Sequence, residues 1–371
     1  MKRSARARLL PFGFGLSGSK KAHLMNKLSR HETGFGSLAV TAGLCAGAVI
    51  AAQALRRQPR PERLRLSGKT VLITGGSRGL GLALAEEFGA YGARIAICAR
   101  DTTEMEKARQ KLASKRIEAH GFPADVTQPA QVNSLVQEVI SRFGALDILI
   151  NDAGAITVGP FASFTQTDFE EAMNLMFWAP VNVTRAVLPY MQKMHSGQII
   201  NIGSLGGRVS IPHLLPYCCA KFALIGFSTG LTTELKRDGI RVLTVVPGLM
   251  RTGSYLNAEF KGTPKNEFAW FGLLGNLPGF SVAADYAAAQ IREAVQRGDS
   301  NCTISLPAKA LIALEALAPD VNRSLLEFAT NLLPDGQGTM RQSGKRLNPA
   351  LGAVFQGLTS LGRMAAQRFN E

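Results

Sequence analysis

Paired cysteines are missing from this 371-residue chain. Cys45, Cys98, Cys218, Cys219 and Cys302 are odd in number, show no CxxC spacing and lie mostly inside apolar runs. That argues against a disulfide framework and fits a reducing compartment. The five histidines have no HxxxH spacing, so no metal site is expected. Beyond residue 66 there is no run of Lys and Arg interleaved with aromatics, and no nucleic-acid partner is expected. Acids are absent from the first thirty-one positions, which leaves a basic, serine-containing arm.

What is present is unevenly spread. Residues 1–66 hold thirteen Lys/Arg and two Glu, so they carry +11 of the formal +15, and the remaining 305 residues are close to neutral. From Thr33 to Leu55, twenty-three residues pass without a charge, long enough to cross a hydrocarbon core as a helix. Lys and Arg flank both sides, so the positive-inside rule gives no clean orientation. A membrane anchor is the expectation. A cleaved export signal, suggested by Ala52-Gln53-Ala54, and an organelle-targeting arm are the alternatives. The organisation is thus a basic arm (1–32), a hydrophobic helix (33–55), a basic linker (56–66), a main domain (67–306) and a helical extension (307–371).

In the main domain, apolar runs of about five residues alternate with amphipathic segments, the βαβ rhythm of a parallel sheet covered on both faces. Strands are predicted at Thr70–Thr74, Arg94–Ala99, Ala119–Pro123, Asp147–Asn151, Gln198–Gly203, Arg241–Val246 and Cys302–Leu306. The fold class is α/β, a doubly wound (Rossmann) parallel sheet of about seven strands. Within the extension, Ala350–Phe369 is predicted as an amphipathic helix with Arg363 and Arg368 on its polar face. Packing on the core or lying on a membrane surface are its two readings.

The first strand runs into Thr74-Gly75-Gly76-Ser77-Arg78-Gly79-Leu80-Gly81 and a helix. Such glycines allow a tight turn and close backbone approach to a pyrophosphate, while the helix N-terminus offers free N–H groups and a positive dipole. The spacing is Gly-x3-Gly-x-Gly, not the commoner Gly-x-Gly-x-x-Gly. At the end of the second strand stands Ala99-Arg100. A carboxylate there would grip the ribose hydroxyls of NAD, whereas Arg100, with Arg78 on the same side, suits a 2′-phosphate. NADP(H) is expected, with NAD(H) as the alternative.

Tyr217 and Lys221 in Tyr-Cys-Cys-Ala-Lys stand at i and i+4, one turn apart on one helical face. A phenol of pKa about 10 becomes an acid-base catalyst when a nearby ammonium favours the phenolate. Ser204, at the carboxyl end of a central strand, would hold a substrate oxygen beside Tyr217.

With TGGSRGLG, Ala124-Asp125-Val126, Asn151-Asp152-Ala153-Gly154, Asn174, Ser204, YCCAK and Pro247-Gly248, the chain resembles the short-chain dehydrogenase/reductase family over residues 67 to 250, and more loosely to about 306. The resemblance implies Tyr217 as general acid/base. Lys221 would lower its pKa and hold the nicotinamide ribose, Ser204 would orient the carbonyl or alcohol, and Asn174 would hold a relay water. It also implies Asp125 at the adenine, Asn151 and Gly154 along the adenosine ribose, and Thr252, after Pro247 and Gly248, at the nicotinamide amide. Homo-oligomers are frequent in that family. Two departures stand out: Asp152 replaces the usual amide, and Ala220 precedes Lys221 where Ser or Thr is common, with Cys218 and Cys219 expected as small packing residues.

Arg251 to Phe280 reads as a substrate lid, carrying Tyr255, Phe260, Phe268, Trp270, Phe271 and Phe280. Such a lining would favour an apolar, lipid-like ketone or alcohol, unless the aromatics pack into the core. An NAD-linked alcohol dehydrogenase is the rival reading, and a nucleotide-binding protein without turnover the remoter one. A catalytic domain facing the cytoplasm, where its cofactor is kept, completes the expectation.

Overall fold

The computed structural model describes residues 63–371. The basic arm, the 33–55 segment and most of the linker, with the localisation inferred from them, lie outside the described residues. Among the described residues no helix is long and apolar enough to cross a membrane.

Seven strands form one parallel sheet: β1 (Thr70–Thr74), β2 (Arg94–Ala99), β3 (Ala119–Pro123), β4 (Ile148–Asn151), β5 (Gly197–Ile202), β6 (Ile240–Pro247) and β7 (Asn301–Ile304). Their order across the sheet is β7-β6-β5-β4-β1-β2-β3, and every neighbouring pair is parallel. The chain reverses its direction of travel between β1 and β4, and there the carboxyl ends leave a crevice. β4, β5, β6 and β7 differ from expectation by one or two residues at their ends. Gly203 lies beyond β5, and Leu306 belongs to a helix. Ser305, at φ 85°, breaks β7, and its side chain accepts from the Ala308 N–H at 3.3 Å to cap that helix.

Period-two burial explains the layers. Val71 and Ile73 of β1 join the core under α1 (Gly79–Ala90) and the Ala284–Arg297 helix. Leu72 faces the opposite core, under α3 (Pro129–Phe143) and the Ala179–Met194 helix. Between these comes α2 (Thr102–Ser114), started by the Asp101 side chain, which accepts from the Glu104 N–H at 2.9 Å. The next helices are α4 (Gln166–Met173), a π turn (Asn174–Trp178), α5 (Ala179–Met194) and α6 (Leu215–Glu234). The domain starts before residue 67, because the Leu64 N–H donates to Gln296 O at 2.9 Å and Leu66 is buried.

The predicted lid is a folded cap: α7 (Ser254–Asn257), a short strand at Glu259–Phe260 and α8 (Pro264–Asn276). Tyr255, Phe260, Phe268 and Phe271 form a third core with Leu347, so Phe260 and Phe268 serve packing alone while Tyr255 and Phe271 also border the pocket at the carboxyl ends of the strands. Phe280 is exposed. Glu259–Phe260 pairs with Thr157–Val158 on one side and with Gln342–Ser343 of the extension on the other. Behind them Asp168 is fully buried. It takes hydrogen bonds from Lys261 Nζ at 2.6 Å, from Arg341 at 2.6 Å and from the Thr165 N–H at 2.6 Å.

The helix before β7 is α9 (Ala284–Arg297), and beyond β7 come α10 (Leu306–Leu317), α11 (Pro319–Thr330), α12 (Gly344–Leu347), α13 (Ala353–Leu358) and α14 (Ser360–Arg368). The single helix expected over Ala350–Phe369 is two helices that break at Thr359, which is fully buried. Arg363 is not on a free polar face: it donates to Gln356 O at 2.6 Å. Phe369 is buried in the core under α1. The end of the extension packs on the domain, as one of the two readings of that segment had it, whereas α10 and α11 leave Leu317, Leu325 and Phe328 exposed.

Candidate functional site

At the carboxyl edge of the sheet, the ends of β1, β2, β4, β5 and β6 open into a pocket of about 770 Å³. Of the residues expected there, it brings together Gly75, Ser77, Arg78, Gly79, Leu80, Arg100, Asp125, Gly154, Ser204, Tyr217, Lys221, Pro247, Gly248 and Thr252.

The glycine-rich turn is shaped by Gly75 at φ 74°, a conformation that side chains resist, and a Cβ there would sit 2.9 Å from the Ala153 Cα. A Cβ on Gly81 would collide with the Gly75 carbonyl oxygen. Gly81 therefore packs helix on loop and does not line the pocket. Thr252 is buried beside the first turn of α1, its hydroxyl accepting from the Ser254 N–H at 3.1 Å.

Helix α6 places the acid-base pair. Lys221 is buried, and its ammonium donates to Ile202 O at 2.7 Å while lying 5.8 Å from the centre of the Tyr217 ring. Ser204 sits in the turn after β5 beside Tyr217. Its hydroxyl accepts from the Gly206 N–H at 3.0 Å. Burial pushes the Tyr217 phenol up to about 12 against the pull of Ser204. Cys218 and Asp152 push it in the same direction as burial. Burial also brings Lys221 down to about 8, with Asp152 pushing the other way. Asp152, the departure from the family pattern, is raised to about 7, first by burial, with Lys221 drawing it down and Glu371 pushing it up. Cys218 is buried and its thiol raised to about 11 by burial, so it packs rather than reacts; Cys219 is exposed.

Besides Gly81, two further expectations are corrected. Asn151 does not reach the pocket. Its amide donates to Asn201 Oδ1 at 2.8 Å, Asn201 donates to Ser228 Oγ at 3.0 Å, and Ser228 meets the Thr244 hydroxyl at 2.7 Å. This buried ladder links β4, β5, α6 and β6, and the asparagine is spent on the sheet. Asn174 opens the π turn; its carbonyl accepts from the Ala179 N–H, its side chain is exposed, and it does not line the pocket.

At the adenosine end, Asp125 lines the pocket with its carboxylate already accepting from Thr127 N and Oγ1 at 2.9 and 2.7 Å. Arg100 is exposed at the rim. Arg78 donates to Glu104 at 3.2 Å and to Asn257 Oδ1 at 3.3 Å. Sequence reading missed Glu104, Asn257 and Glu371. Glu104, in the first turn after an N-capping Asp, carried a local signal; the other two carried none.

Glu371 also tests whether the loop suits an anion. Its side chain is 5% exposed, lies 3.8 Å from Arg78 Nε and accepts a hydrogen bond from the Asn257 amide. Its Oε1 stands 2.5 Å from where a Cβ on Gly79 would be. A carboxyl group thus already stands against the start of α1, held by Arg78 and Asn257, where a helix N-terminus favours an anion. The residues fit a dinucleotide pyrophosphate.

Comparison with known proteins agrees. The family model described as short chain dehydrogenase matches residues 69–259. The chain is 32% identical over 286 residues to a dehydrogenase/reductase SDR family protein 7-like of Anopheles gambiae, covering 74% of this chain and 87% of that protein. It is 29% identical over 300 residues to a fatty acyl-CoA reductase of Acinetobacter baylyi, covering 80% and 96%. A crystal structure of a short-chain dehydrogenase from Streptomyces avermitilis superposes with a TM-score of 0.60 at 29% identity, covering 71% of this chain and 98% of that one.

Proposed function

The chain belongs to the short-chain dehydrogenase/reductase family and is an NAD(P)-dependent oxidoreductase, and from that premise we propose that it moves a hydride between NADP(H) and an apolar carbonyl or secondary alcohol. The observation that carries this reading is the meeting of Tyr217, Ser204 and Lys221 in one pocket with the glycine-rich turn.

Bound along that turn, NADP(H) would supply or accept the hydride. The protein would do the rest. Gly75 and Gly79 let the backbone approach the pyrophosphate, and Thr252 and Lys221 stand where the nicotinamide end would lie. Ser204 would hold the substrate oxygen by a hydrogen bond and Tyr217 would exchange a proton with it. The buried Lys221 ammonium would favour the phenolate side of that exchange. Arg100 at the rim would meet a 2′-phosphate.

An apolar substrate is supported by the lining residues Ile156, Leu175, Leu214, Trp270, Phe271 and Leu274 and by the relative named as a fatty acyl-CoA reductase. The uncharged 33–55 stretch would anchor the enzyme at a membrane, where such compounds concentrate, with the domain in the cytoplasm. One observation favours the NAD-linked alternative: Glu104 already engages Arg78.

Titration of the detergent-solubilised chain with NADPH and with NADH separates the two readings. Tighter NADPH, weakened in Arg100→Ala toward the NADH value, is expected; tighter NADH overturns the cofactor assignment. With apolar ketones, Tyr217→Phe is expected to lower kcat by about 10²–10⁴-fold while NADPH still binds. Undiminished turnover would remove Tyr217 from the chemistry.

A further inference from the structure

The first turn of α1 has a tenant from the chain itself. Helix α14 runs along the Leu249–Arg251 strand and α8. It comes so close to Gly253, at φ 92°, that a Cβ there would overlap Ala366. The residues that follow fold back over the glycine-rich turn. Phe369 anchors them: its ring is buried in the core under α1, and its carbonyl accepts from the Gly79 N–H at 2.8 Å. Asn370, at φ 60°, donates from its amide to Ser77 O at 3.0 Å and to Glu104 O at 3.1 Å, tying the turn to α2. Glu371 then lays its carboxylate on the start of α1, between Arg78 and Asn257.

Each of these contacts uses something a dinucleotide would need. The Gly79 N–H is among the donors that a helix start offers to a pyrophosphate. Arg78 is one of the two cations at the adenosine end. The space over Gly79 and Thr252 holds a side chain. A pyrophosphate brought beside Glu371 and Asp152 would also place like charges together in a poorly solvated pocket. Burial raises Glu371 to about 7; Arg78, Asn257 and Lys345 pull against this, and Glu104 adds to it. The carboxylate is therefore held at some cost in solvation, which makes it easier to displace.

We propose that residues 369–371 form a strap competing with the cofactor for the first turn of α1, so that the dinucleotide enters only when the strap lifts. The inference rests on the dinucleotide reading of the pocket and adds a gate to it. Cofactor affinity then equals the affinity of the open pocket scaled by the fraction of molecules with the strap raised.

The test compares the full chain in detergent with its Asn370→Gly/Glu371→Ala variant, which leaves Phe369 in the core. NADPH is mixed by stopped flow, and amide hydrogen exchange is followed over residues 360–371. In the parent, the association rate should level off at high NADPH, and bound NADPH should raise exchange in that segment. In the variant, the plateau should vanish and Kd should tighten about tenfold or more, as expected if the strap is raised in a tenth of parent molecules or fewer. If both proteins bind NADPH with equal Kd and the segment stays protected, the strap is no gate, although the oxidoreductase reading stands. If the variant binds neither NADPH nor NADH, the dinucleotide reading fails, and the gate fails with it.

Discussion

The sheet and the cap are both well buried, yet they are held together by different means. In β1, β2 and β4, nine of the thirteen buried side chains are aliphatic and none is charged, and a backbone ladder fixes the register. The cap depends on buried charge. Asp168 joins three segments through Lys261 and Arg341, and His213 meets Glu267, which also accepts from Trp270 Nε1 at 2.7 Å. Aliphatic contacts tolerate many neighbours, whereas a buried carboxylate tolerates only its own donors. The cap therefore holds one arrangement or none, which suits a wall that shapes a pocket.

The sharpest way to break this contrast is Asp168→Ala, which leaves the Lys261 ammonium buried without its partner. About 3–5 kcal/mol should be lost in urea denaturation, with hydrogen exchange rising over residues 255–276 before it rises in β1 or β4. Uniform exchange across both regions would show that cap and sheet unfold together. The charge also predicts an acid limit. Burial pushes Asp168 upward, but its bonds from Lys261, Thr165 and Arg341 outweigh that and hold it at about 2. Its stabilisation is complete above the ordinary carboxylate value and disappears as pH falls toward 2. The cap should loosen in that window while the strands stay protected.

A gentler probe works on the other side. Ile73→Val removes one methylene from a fully buried strand position and should cost about 0.5–1.5 kcal/mol, with no change in NADPH binding. A larger loss confined to the cap would mean that the two regions share a core at that point. The last probe concerns Asp152. Its carboxyl is raised to about 7, mainly by burial, so the folded state holds a proton that the unfolded chain has released, and stability falls as pH climbs from about 4 to 7. Asp152→Asn should remove that decline, gaining on the parent through this range in thermal melts. Parallel curves for the two proteins would refute it.

The same division governs what could be read from the chain beforehand. β1, β2 and β3 were bounded correctly because apolar runs between turns leave a local pattern, and Tyr217 with Lys221 needs only helical spacing. Asn151 was misread because the same amide serves a cofactor or a sheet, and only the position of Asn201, fifty residues on, decides which. Asn174 was misplaced because a π turn is not visible in residue types. Glu371 carried no signal, since its contacts with Arg78 and Asn257 join residues 293 and 114 positions away.

β3 closes one border of the sheet. The Ala124 N–H points inward to Ala99 O at 3.1 Å, so by alternation the backbone nitrogens of residues 119, 121 and 123 point away from β2. At position 123 that nitrogen belongs to proline and carries no hydrogen. An eighth strand arriving from a neighbouring molecule would find a gap in its ladder at the point where β3 leaves the sheet. Edge-to-edge stacking into fibrils is blunted on that side by one imino acid.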